Sequence, residues 1–74
     1  MTEPRTFWQW LKRQDDRNDF IGDLARDAVQ DDTFPRRAKH YDAIKWYLIG
    51  RNACRPAQIA LARAFREWRR YRAV

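Results

Sequence analysis

The chain has 74 residues, 35% of them charged and 15% aromatic, with four Trp, a single Cys, a single His and a net charge of +6. That length holds one core, read as a single domain over 1–74, and the composition excludes a disulfide scaffold, a zinc site and a membrane-spanning run of about 18 apolar residues. The opening MTEPRTFWQW carries acid and proline where a secretory leader has a basic and then an apolar segment, so the expected location is the cytoplasm.

Phe7, Trp10 and Leu11 recur at i, i+3 and i+4, which predicts a short first helix with Thr6 as its cap. Trp8 falls off that stripe, leaving it either a second packing contact or part of a binding surface. The run QDDRND is a polar loop without the Gly and closing Glu of a calcium loop, and Asp19 after it is placed to cap a second helix. In that helix Ile21, Leu24, Ala25, Ala28 and Val29 make one apolar stripe. Asp23, Asp27 and Asp31 stand four apart on another face, either solvated or forming a docking surface.

The stretch DDTFPRR, residues 31–37, reads as a joint. Proline disfavours helix at the residue before it, so the second helix ends here, Thr33 bonds locally and Phe34 swings into the core as an anchor. One extra turn is expected over residues 35–40. Tyr41, Ile44 and Leu48, with Tyr47 beside them, then define a third helix with Gly50 as its C-terminal cap. Trp46 and Ile49 lie on its far side and either meet another element or form an exposed apolar spot.

Pro56 suits the first turn of a last helix, and from there to Tyr71 the two faces separate. Ala57, Ala60, Leu61, Ala64, Phe65, Trp68 and Tyr71 share an apolar arc. Arg63, Arg66 and Arg70 share the reverse face, flanked by Arg69 and Arg72, where positive charge also suits the helix C-terminus. No segment alternates with period two, so the expected fold is all-α, a compact bundle of four short helices with room for a fifth.

These elements resemble the small bacterial YozE-like family, whose fold is of the sterile-alpha-motif type. The resemblance rests on Phe7, Trp10 and Leu11; on D-x-[ST]-F-P at Asp31, Thr33, Phe34 and Pro35; on Y-x-x-I-x-x-Y-L at Tyr41, Ile44, Tyr47 and Leu48; and on W-x-x-Y at Trp68 and Tyr71. It spans Phe7 to Tyr71 and implies a SAM-like helical bundle without lending an activity. The chain departs from the pattern in its closing helix, where Ala64 replaces an aromatic and Arg dominates a surface that is acidic or mixed in the family.

Charge is unevenly spread, at +2 over residues 1–14, −5 over 15–32 and +9 over 33–74, and thirteen of the sixteen basic residues are Arg. Arg forks onto carboxylate or phosphate, which points to an acidic partner. The paired carboxylates Asp15–Asp16 and Asp31–Asp32 lack a nucleophile or metal partner, and His40 and Cys54 read as ordinary surface or core residues. No catalysis, cofactor, metal or small-molecule substrate is therefore expected. Two readings remain. In the first, Arg63, Arg66, Arg69, Arg70 and Arg72 lie along a nucleic-acid backbone without reading sequence. In the second, the module binds protein through Asp23, Asp27, Asp31, Trp8 and Trp46. It then either self-associates head to tail, acidic face against basic face, or presents its basic face to an acidic partner. The Arg side chains of the last helix are also able to fold back onto Asp23 and Asp27 of their own molecule.

Overall fold

A computed structural model describes residues 4–73; Met1 to Glu3, which open the segment read for a leader, and Val74 lie outside them. The described chain forms four helices, α1 (Phe7–Lys12), α2 (Phe20–Gln30), α3 (Tyr41–Gly50) and α4 (Arg55–Ala73), and no strand. Two starts are set by the residues the sequence proposes. Thr6 accepts from the Gln9 backbone N–H at 3.1 Å and Asp19 from that of Gly22 at 2.9 Å, satisfying donors that a helix leaves without intrahelical partners. Pro56 stands in the first turn of α4 as expected.

The end of α3 differs from the expectation. Gly50 is its last helical residue and does not take a positive φ; Asn52 does, at 58°. Backbone N–H groups of Asn52 and Ala53 return to the carbonyls of Ile49 and Leu48 at 3.0 Å each, the paired bonds of a Schellman end with Asn in the left-handed position. Residues 35–38 close a single turn, Ala38 N–H to Pro35 O at 3.2 Å, so the fifth helix is a turn only.

α4 packs against each of the other three helices and carries the centre of the core. Phe65 stacks on Phe7 at 4.2 Å between ring centroids and meets Tyr41 edge-on, while Trp68 packs against Trp10. Phe34 is 4% exposed and edge-on to Tyr47, so the FP joint is the anchor its sequence implies. α2 runs antiparallel to α4. Its Gly22 is required by close approach, because a Cβ there would lie 2.0 Å from the carbonyl oxygen of Arg17 in the preceding loop.

Two apolar expectations fail at the ends of helices. Val29, in the last turn of α2, is 43% exposed: it sits on the flank of its stripe, and the eleven-residue α2 outlasts the six-residue α1 packed on it. Tyr71 is 42% exposed because the nineteen-residue α4 overhangs its neighbours, and its ring stacks on Trp68 instead of entering the core. Among the described residues no helix is long and apolar enough to cross a membrane.

Candidate functional site: the outer face of α4

At 100° per residue, Arg55, Ile59, Arg63, Arg66 and Arg70 fall on one line along the outside of α4, about 22 Å long at a rise of 1.5 Å per residue. All five are exposed. Arg63, Arg66 and Arg70 are the reverse face expected from the sequence; Arg55 and Ile59 extend it by the same four-residue spacing and were readable from it. Arg69 sits to one side, where with Arg66, Ala62, Tyr41 and Phe65 it lines a shallow groove of about 290 Å³ between α3 and α4. Arg72 departs from the set. Its guanidinium lies 5.4 Å from the Trp68 ring, on the core side of the helix, which makes it a cation–π partner of a core residue.

Among the described residues no hydrogen bond or ion pair engages Arg55, Arg63, Arg66, Arg69 or Arg70, and the fold-back of α4 arginines onto Asp23 and Asp27 does not occur. Asp23 is taken instead by Arg26, three residues along α2, which also donates to the backbone carbonyls of Asp15 and Arg17 at 2.7 and 3.2 Å. Glu67, the single acid of α4, is held by Arg17 at 2.8 Å. That guanidinium also meets Asp19 at 2.8 Å, and with Glu67 as the larger cause its pKa is raised further still above the ordinary Arg value. The Gly22 backbone N–H first, then Arg17, hold the Asp19 carboxyl below its usual range.

Of the three carboxylates expected on the acidic face, Asp31 points inward. Its side chain is 18% exposed. It accepts the Tyr47 hydroxyl, the Thr33 hydroxyl at 2.8 Å and the Thr33 N–H at 3.0 Å, while Arg51 reaches Thr33 Oγ1 and Tyr47 Oη at 2.8 and 2.9 Å. Tyr47 first, with Thr33 and Arg51 adding to it, keeps the Asp31 carboxyl below the usual carboxylate range. Asp31 is thus a clamp between the ends of α2 and α3, not a docking residue, and only Asp27 of the three is without a partner. Nothing in sequence spacing signals this clamp, since Tyr47 and Arg51 reach it through the fold.

The two off-stripe tryptophans separate. Trp8 is partly buried against the core and lies under the cations of Lys12 and Arg36, at 4.5 and 4.7 Å from its ring, which is the packing contact of the two alternatives its off-stripe position offered. Trp46 is 63% exposed and stands apart from the Arg line, on the outside of α3. Cys54 is a free, exposed thiol.

The family described as "YozE SAM-like fold" matches residues 6–72. The "UPF0346 protein" of Ligilactobacillus salivarius (strain UCC118) is 30% identical over 73 residues, covering 96% of this chain and 93% of the relative. No solved structure matches the chain.

Proposed function

Since the chain belongs to the YozE SAM-like family, whose name specifies a fold and no chemistry, we propose from its surface that it is a non-enzymatic module that grips the backbone of nucleic acid. The observation that carries this reading is the set of unpaired guanidiniums on α4. Arg63, Arg66 and Arg70 span about 10 Å of helix, close to three phosphate-to-phosphate steps along one strand at about 3.4 Å each. Arg forks suit phosphate oxygens, and contacts to phosphate fix the register of a protein on the strand without reading its sequence. Arg69 adds positive charge on the flank of the same helix. The reading sets the chain in the cytoplasm, where a free exposed thiol such as Cys54 persists.

Docking of an acidic protein onto the same Arg face is the alternative that an absence of DNA binding favours, and stacking of copies through the acidic face of α2 is the weaker reading. Asp31 and Asp23 are already engaged, which leaves Asp27 alone to oppose several cations. The test is a titration of fluorescent duplex DNA with the wild-type chain and with the triple variant Arg63→Glu, Arg66→Glu, Arg70→Glu. These side chains are exposed and make no hydrogen bond or ion pair in the fold, so the variant keeps its helical circular dichroism and loses binding by at least about a hundredfold. Equal binding by a folded variant rejects the reading.

A further inference from the structure

Phe20 and Ile59 are 58% and 46% exposed, and they line the same shallow cavity between α2 and α4. Phe20 also borders a second cavity with Asp23, Asp27, Pro56 and Ala57, and Pro56 is itself exposed. A ring at the first position of a helix has no folding reason to stand in water, because Asp19 already caps α2. Here it joins Ile59 and Pro56 in a contiguous apolar patch, of the kind that marks a contact surface. Its centre does not suit phosphodiester, which the neighbouring arginines would otherwise attract.

The charges around this patch are ordered. Because α2 and α4 run antiparallel, Arg17 meets Glu67 at one end of the pair and Asp27 lies beside Ala57 and Cys54 at the other. Arg17, Asp19 and Glu67 satisfy one another, and Arg26 takes Asp23. What remains uncompensated along the patch is Arg63 towards the first end and Asp27 towards the second. A second copy related by a twofold axis through the Phe20–Pro56 region would set its Arg63 opposite Asp27 of the first, and its Asp27 opposite Arg63, with the Phe20 and Ile59 side chains of both between them. The patch is self-complementary, the requirement for a closed isologous contact.

We infer that two copies of this chain associate through the Phe20–Ile59 patch of α2 and α4 as a symmetric dimer. The dimer goes beyond nucleic-acid binding and does not depend on it: it uses Arg63 but leaves Arg66, Arg69 and Arg70 outward on each copy.

Sedimentation equilibrium from about 10 µM to about 1 mM is the measurement, since dimer population rises with concentration. The mass is expected to climb from the 9.1 kDa of one chain to a plateau at twice that value. Phe20→Ser, at an exposed site, retains the helical spectrum and DNA binding and weakens association at least about tenfold. Asp27→Arg and Arg63→Asp each weaken it as well, and an equimolar mixture of the two restores it, because each heterodimer regains both opposite-charge pairs. A mass fixed at 9.1 kDa throughout, growth beyond a dimer, or a mixture no better than its components overturns the inference. Loss of DNA binding by the double variant Arg66→Glu, Arg70→Glu, which keeps Arg63, bears on the nucleic-acid reading alone, and Phe20→Ser on the dimer alone.

Discussion

Arg17, Arg26 and Arg51 each end on acceptors of their own protein, whereas Arg63, Arg66, Arg69 and Arg70, of the same chemistry and only a helix width away, end in solvent. The difference follows from what passes in front of them. The first three face loops or helix ends, where backbone carbonyls and capping carboxylates lack helical partners and need donors. The outer face of α4 has no loop across it. Of the eleven basic residues in 33–74 only Arg51 is taken by a carboxylate among the described residues, and Arg63, Arg66, Arg69 and Arg70 stand together on one side of α4.

Three experiments probe this contrast between inward and outward residues. The largest effect belongs to the joint that fixes the acidic and basic regions relative to one another: Phe34→Ala costs about 3 to 5 kcal/mol in urea unfolding, the range for a buried aromatic, and a loss below about 1 kcal/mol contradicts the anchor. Next is a matched pair. Arg17→Met costs about 1 kcal/mol, discounted because both Arg17 and Glu67 are partly exposed, while Arg66→Met stays within about 0.5 kcal/mol; equal losses erase the distinction. The smallest effect is acid sensitivity. Asp19 and Asp31 titrate lower in the folded chain than in the unfolded one, so their stabilisation is complete above the unfolded value of about 3.9 and fades as pH falls through it. Between about pH 5 and about pH 3 the urea midpoint of Asp31→Asn accordingly falls less than that of the wild type.

Much of the fold was legible because helical period and capping are local. The stripes of α1, α2 and α4, the caps Thr6 and Asp19, and the burial of Phe34 all follow from residues within a few positions of one another. The misses are of other kinds. Val29 and Tyr71 obey the period but lie where a helix runs past its partner, and Asn52 displaces Gly50 because the chain continues two residues further before turning. The candidate site was half legible. Spacing alone aligned Arg63, Arg66 and Arg70, but whether a carboxylate answers an arginine depends on pairs such as Arg17–Glu67, fifty residues apart, and on the Asp31–Tyr47–Arg51 clamp.

The central claim is that the α4 arginines, and not the loop arginines, meet phosphate. The salt dependence of duplex DNA binding at submicromolar protein tests it most directly. With three phosphate contacts, log K falls against log salt with a slope of about −2.7 for the wild type; Arg66→Gln reduces this to about −1.8, and Arg17→Gln leaves it unchanged. A flat wild-type slope, or equal reductions in the two variants, contradicts the account.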